Sequence, residues 1–183
     1  MRKEYRKAAI RLFTEGLARR LPAYKLWKPT LPLVAQGDGK AFFRRPVDTG
    51  GCVFIVLAPN IKQDDAFFVE LGWSAHDRVP DVTAWPTAFA TPERTELSQP
   101  GGVVRLGDLT GREMWTTGAI EQAMDADDEG AMLAYLQRQI QPLSASQAEA
   151  AMRPLVEDAL AALERWGTSY LDAAAERLRR EAR

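Results

Sequence analysis

The segments CVFIVLA at residues 52–58 and FFVELGW at residues 67–73 decide the fold of this chain. The first is apolar at every position, which is typical of a central strand covered on both faces. The second alternates with a period of two, as a half-buried strand does. One face of this strand carries Phe67, Val69, Leu71 and Trp73, and the other face carries Phe68, Glu70 and Gly72. Together the segments predict adjacent strands of one sheet.

Shorter segments on either side predict further strands. Residues 31–36 and 40–45 enclose Gly37-Asp38-Gly39. Because glycine tolerates the positive φ that a tight connection requires, this pattern predicts a hairpin. Pro32 places the first of its strands at a sheet edge, since proline cannot donate a backbone hydrogen bond. Residues 103–106 predict one more strand.

Helical patterns occupy both ends of the chain. Residues 3–21 repeat apolar groups at helical spacing, and Pro22 ends the predicted helix. Asp125 is expected to cap a second helix that Pro142 ends. The apolar stripe of this second helix is Met132, Leu133, Leu136 and Ile140.

The last part of the chain predicts two more helices. A capping box at residues 146–149 begins a helix in which Pro154 should cause a kink or a fresh start. The apolar stripe of this helix is Met152, Val156, Leu160 and Leu163. Gly167 is expected to end it, and Ser169 to cap a final helix.

This order of elements predicts an α+β fold, with an antiparallel sheet of three to five strands packed by an N-terminal helix and C-terminal helices. The 183 residues suit a single domain, and no repeat or linker divides them. We expect the N-terminal helix and sheet to occupy about residues 1–110, and the helical part about residues 118–182.

Cysteine usage and hydropathy predict a cytoplasmic protein. The single cysteine, Cys52, lies in an apolar strand and cannot form an internal disulfide, which suits a reducing compartment. No stretch approaches the roughly 18 apolar residues of a membrane span, and the N-terminus is not that of a signal peptide. We therefore expect neither membrane insertion nor export.

The charge distribution is uneven although the formal net charge is only -1. Residues 1–45 hold 12 Lys and Arg against 3 Asp and Glu, whereas the remaining residues hold 12 against 22. Clustered cations of this kind bind acidic proteins or nucleic acid. The predicted partner-binding residues are Arg2, Lys3, Arg6, Lys7, Arg11, Arg44 and Arg45. In the alternative interpretation, the first helix packs beside acidic later helices and its charges are paired internally.

The residue inventory argues against most catalytic and metal-binding chemistry. One Cys and one His, His76, cannot form a zinc site of the usual Cys/His kind. Residues 125–130 resemble the start of a calcium loop, but the twelfth position is Leu136, so no bidentate carboxylate closes the coordination sphere. Motifs of phosphate loops, dinucleotide sites and serine hydrolases are absent from the sequence. We therefore expect no catalytic residues, no bound metal and no cofactor.

Two alternatives stay open. A magnesium-dependent nuclease could use Asp64, Asp65 and Glu70, which flank the second strand segment. A nucleic-acid-binding protein without catalysis could stack bases on aromatic side chains beside the basic residues. The aromatic candidates are Trp27, Phe42, Phe43 and Trp73.

The element order also resembles a known family. A charged first helix, the strand FFRR at 42–45, the apolar strand, FFVELGW at 67–73 and a helical stretch over 156–171 are together similar to a bacterial domain-of-unknown-function family of the DUF4304 type. The resemblance implies an α+β fold and carries no activity. Small domains of this sort are often accessory or immunity-type proteins. We therefore predict a non-enzymatic interaction protein, an accessory or immunity-like component of a bacterial defence or toxin system. Its partner is expected to be another protein, with nucleic acid as the alternative, and its oligomeric state is left open.

Overall fold

The two segments that decide the fold form the middle of an antiparallel sheet. In the computed structural model they are β3 and β4, paired in register from Cys52 opposite Ser74 to Pro59 opposite Phe67. Residues 1–29, 39–60, 65–76, 78–79, 101–118 and 129–182 are described by the structure. Within them the strands are β1 (Lys25–Trp27), β2 (Ala41–Pro46), β3 (Cys52–Pro59), β4 (Ala66–Ser74), β5 (Gly101–Arg105) and β6 (Trp115–Thr116).

The sheet is a simple meander. Its strand order is β1-β2-β3-β4-β5, every pair is antiparallel, and the short β6 pairs with the start of β4. The predicted strand at 103–106 corresponds to β5, although Leu106 already belongs to the next helix. The α+β fold with an antiparallel sheet is confirmed, and β6 is a short strand that the sequence did not predict.

The partner of β2 at the sheet edge differs from the predicted hairpin. The predicted first strand, 31–36, lies outside the described residues. In the structure β1 pairs with β2, and Leu26 stands opposite Phe43. Because β1 has only three residues, it carries too little alternation for a period of two to be detected.

Apolar side chains cover both faces of β3, as its sequence indicates. Val53, Ile55 and Leu57 join the larger core with the helices. Phe54 and Val56 point to the opposite face and form a smaller apolar cluster. On that face a Cβ at position 72 would overlap the Phe54 ring, so glycine at this position gives the ring its room.

The structure describes five α-helices, and all but the third contribute side chains to the larger core. They are α1 (Lys3–Arg20), α2 (Leu106–Thr110), α3 (Glu129–Ile140), α4 (Ala145–Ala162) and α5 (Thr168–Glu181), with a π-helical segment, Leu163–Gly167, between α4 and α5. The core side chains of α1, α4 and α5 include Phe13, Leu17, Met152, Val156, Leu171 and Leu178. Phe13 contacts Phe43 of β2, with ring centroids 5.7 Å apart. This contact places α1 directly over the sheet.

The helix boundaries correct three details of the sequence interpretation. The capping box of α4 uses Ser144 and Gln147 rather than residues 146–149, because Ser144 both accepts from the Gln147 backbone and donates its own N–H to that side chain. The helix runs through Pro154, so this residue does not mark a fresh start. Gly167 does not end it, since the π-helical segment leads directly into α5.

Candidate functional site

Several predicted partner-binding residues are held by carboxylates of the same chain. Arg11 of α1 pairs with Glu15 and with Glu149 of α4. Arg20, which is not one of the predicted residues, pairs with Glu157 of α4 and with Glu164 of the π-helical segment. Because these contacts advance along α1 and α4 in the same direction, the two helices run parallel. The ion pairs agree with the alternative interpretation, in which the first helix lies beside acidic later helices.

Arg2 binds a buried carboxylate at the end of the sheet. Its Nε donates to Asp65 Oδ2 at 2.9 Å, and its backbone N–H donates to Asp65 Oδ1 at 2.8 Å. Asp65 is only 3% exposed, so this pairing satisfies a carboxylate that water does not reach. Both oxygens of Asp65 are therefore engaged within the protein.

This arrangement removes support from the nuclease alternative. Asp64 lies outside the described residues. Glu70 stands four residues beyond Ala66 along β4, a distance of about 13 Å at the rise of an extended strand, so it cannot share an ion with Asp65. In the part of the chain that the structure describes, no three potential metal ligands converge. The segment that resembles a calcium loop, 125–130, lies mostly outside that part.

Arg44 and Arg45 lie on opposite faces of β2. Arg45 pairs with Asp172 of α5 at 2.6 Å, and its guanidinium lies 5.3 Å from the centre of the Tyr24 ring. The pKa of Tyr24 is raised overall. Burial is the largest cause, Arg45 opposes it and Asp172 adds to it, so the phenol stays protonated. Arg44 lies over Trp27 at 5.4 Å.

Lys3, Arg6 and Lys7 remain as basic residues near the start of α1. Lys3 and Lys7 are exposed, whereas Arg6 is half-buried and lies beside Gly39. Among the described residues no carboxylate forms an ion pair with any of the three. Cations at the start of a helix are disfavoured by its dipole, so these charges do not stabilise α1 through that interaction.

The aromatic residues considered for base stacking are mostly inside the protein. Phe42 and Phe43 of β2 and Trp73 of β4 are buried. Trp27 is half-buried and packs on Phe54, with ring centroids 6.1 Å apart. Because stacking requires an open ring face, this set does not form a platform for nucleic-acid bases.

Helix α3 exposes the apolar stripe that its sequence predicts. Leu133, Leu136 and Ile140 are 57%, 53% and 84% exposed, at spacings of three and four residues along one side of the helix. Tyr135, on another side, is buried. The helix thus turns one side into the protein and presents an aliphatic stripe to solvent.

A second candidate surface is a groove where α4 meets the residues after α2. It has a volume of about 270 Å³. Its polar and aromatic lining consists of Thr110, Arg112, Trp115, Asp158, Arg165 and Trp166. Ala161 and Ala162 also line the groove, and their small side chains leave it open.

Each arginine in this groove lies near the ring of a tryptophan. Asp158 accepts a hydrogen bond from the Trp115 indole at 2.8 Å and pairs with Arg112, whose guanidinium lies 5.9 Å from the Trp115 ring centre. Arg165 lies 4.9 Å from the ring centre of Trp166. Sequence reasoning missed this groove, because its residues come from distant segments and share no spacing.

These features define an α+β protein with an antiparallel sheet and two candidate interaction surfaces, the α3 stripe and the groove. Comparison with protein-family models, curated proteins and solved structures gives no match. The resemblance to the DUF4304-type family stays a prediction. Among the described helices, none combines the length and the hydropathy that a membrane crossing requires.

Proposed function

We propose that this protein is an interaction protein that binds another protein through the exposed stripe of α3. The exposure of Leu133, Leu136 and Ile140 carries the proposal. Aliphatic side chains at helical spacing are the anchors that amphipathic helices insert into an apolar groove of a partner. Soluble proteins rarely leave large apolar patches uncovered without such a role.

The broader role follows from the sequence hypothesis. An accessory or immunity-like component of a bacterial defence or toxin system acts by capturing a partner and needs no catalytic site of its own. A cytoplasmic location, which the single Cys52 indicates, belongs to the same proposal. What supports this role is the combination of an exposed helix stripe with carboxylates that are engaged in internal pairs.

The test is affinity capture from the native host with matched variants. The test variant carries Leu133→Gln, Leu136→Gln and Ile140→Gln. The control carries Ser146→Gln, Glu176→Gln and Arg180→Gln at exposed helical positions. We expect the wild type and the control to capture the same partner protein, and the α3 variant to lose it while keeping its circular dichroism spectrum.

Two results would contradict the proposal. Capture by the α3 variant at the wild-type level would show that the stripe is not the docking surface, as would the absence of any captured protein. If the wild type is dimeric by light scattering and the α3 variant is monomeric, a second copy of the chain covers the stripe instead of a different protein.

Lys3, Arg6 and Lys7 are proposed to steer that partner electrostatically. Replacing all three with Glu should slow association several-fold and leave dissociation nearly unchanged, because charges at the edge of an interface act mainly on encounter. Surface plasmon resonance with the captured partner at low and high salt measures both rates. Unchanged association at low salt would remove these residues from the binding surface.

A further inference from the structure

The groove beside the π-helical segment contains one more cation than its carboxylates balance. Asp158 is engaged by Arg112 and by the Trp115 indole. Arg165 contacts the Trp166 ring, and within the described residues it forms no ion pair. By contrast, Arg11 and Arg20 of α1, which also lie beside a neighbouring helix, do pair with carboxylates.

The backbone holds Arg165 and Trp166 in place. The π-helical segment Leu163–Gly167 accommodates an extra residue in the turn, and such segments occur frequently at functional sites. Gly167 is buried, and a Cβ there would lie 3.2 Å from Leu71 and 3.4 Å from Leu106. This close packing anchors the segment on the sheet. Trp166 nevertheless remains 45% exposed beside the groove.

We propose that this groove binds an acidic peptide segment of a partner protein, with a carboxylate on Arg165 and an apolar side chain on Trp166. The guanidinium presents paired donors that match a carboxylate, and the indole presents a broad apolar face. Trp and Arg are also the residues most enriched among side chains that dominate binding energy in protein interfaces.

The size of the groove permits this class of ligand, and its charge favours it. The volume of about 270 Å³ is close to the lower end of the range of about 300–1,000 Å³ for clefts that hold small-molecule ligands, and it has room for one or two side chains of a peptide. The groove also contains Asp158, which repels anions. A singly charged carboxylate therefore fits beside it better than a doubly charged phosphate does.

The test follows the indole N–H signals of the ¹⁵N-labelled protein by NMR. The probe is an acetylated, amidated tetrapeptide of alternating Glu and Phe, and the comparison probe replaces each Glu with Gln. A Trp166→Phe variant assigns the Trp166 signal. We expect the Glu peptide to shift that signal saturably with a Kd on the order of 1 mM, while the buried Trp73 signal stays in place.

Two variants should remove the response by different means. Arg165→Gln removes the cation and should weaken binding at least about tenfold, because a charge-assisted hydrogen bond is lost. Ala161→Gln keeps the cation but fills the groove with a longer side chain. Arg153→Gln is the control, since Arg153 is exposed on α4, pairs with Glu149 and does not line the groove. It should bind as the wild type does.

Four outcomes would overturn the inference. They are no shift of the Trp166 signal up to about 10 mM peptide, an equal shift with the Gln peptide, an equal shift with inorganic phosphate, and a stronger response to a short single-stranded DNA. The groove and the α3 stripe share no residue. A negative result here therefore leaves the proposed docking of α3 intact, and loss of the α3 proposal leaves this one intact.

Discussion

Helices α3 and α4 carry similar apolar stripes, but only one of them is covered. On α4 the side chains of Met152, Val156 and Leu160 are buried in the core against α1 and the sheet. On α3 the side chains of Leu133, Leu136 and Ile140 are more than half exposed. The two helices follow one another in the chain, so the difference arises from tertiary packing and not from composition.

The comparison shows what an amphipathic pattern specifies. Apolar residues at spacings of three and four define the side of a helix that prefers to leave water. They do not define which surface covers it. For α4 that surface is α1, whose Gly16 leaves room for Leu160. For α3 no such surface is supplied by the described residues, and we propose that a partner protein supplies it.

The largest expected effect separates matched leucines on the two stripes. Leu160→Ala should lower the free energy of unfolding by about 2–5 kcal/mol, because it leaves a cavity at a fully buried position. Leu136→Ala should change it by less than about 0.5 kcal/mol, because more than half of this residue is already exposed to water. Urea denaturation followed by circular dichroism measures both.

Equal destabilisation by the two changes would break the comparison. It would mean that α3 is covered in the isolated protein, and the proposed docking surface would be lost. A smaller effect of Leu160→Ala alone would instead indicate that the core around α4 collapses to fill the space.

A medium effect is expected at the closest approach of α1 and α4. A methyl group at Gly16 would overlap the Leu160 Cδ1 methyl, and both residues are buried. Gly16→Ala should cost about 1 kcal/mol, since overpacking by about 1–3 kcal/mol exceeds the gain of up to about 1 kcal/mol in helix propensity.

A double-mutant cycle gives the control for this contact. In the Leu160→Ala background the overlap is gone, so Gly16→Ala should become neutral or stabilising. The same cost in both backgrounds would show that Gly16 is required for a reason other than the contact with Leu160.

The sheet could be predicted from sequence because its central strands carry complete local patterns. Residues 52–58 and 67–73 are long enough to show burial on both faces and a period of two, and they became β3 and β4. The three-residue β1 and the two-residue β6 are too short for any period. Their places depend on pairing with a neighbour, which the local sequence does not show.

The candidate surfaces divide in the same way. The sequence predicts the apolar stripe of α3 from its spacing, whereas the exposure of the stripe depends on what packs beside the helix. The sequence shows that the predicted partner-binding residues are cationic, but it does not show that Arg2, Arg11 and Arg45 pair with carboxylates distant in sequence. The groove is formed in part by the π-helical segment that begins at Leu163. The sequence predicts instead that the helix ends at Gly167.

The smallest expected effect concerns the charges that line α1 and α4. Glu157 pairs with Arg20 and lies 3.9 Å from Arg19, and all three side chains are partly exposed. Glu157→Gln keeps the shape and removes the charge, so it should lower the free energy of unfolding by about 0.5 kcal/mol at low salt. At about 1 M salt the difference should vanish, because screening then acts over about 3 Å. Glu176→Gln, an exposed carboxylate on α5, should have no effect at either salt concentration. A loss that persists at high salt would show that Glu157 acts through packing, and the ion pairs would then not explain how α4 is held beside α1.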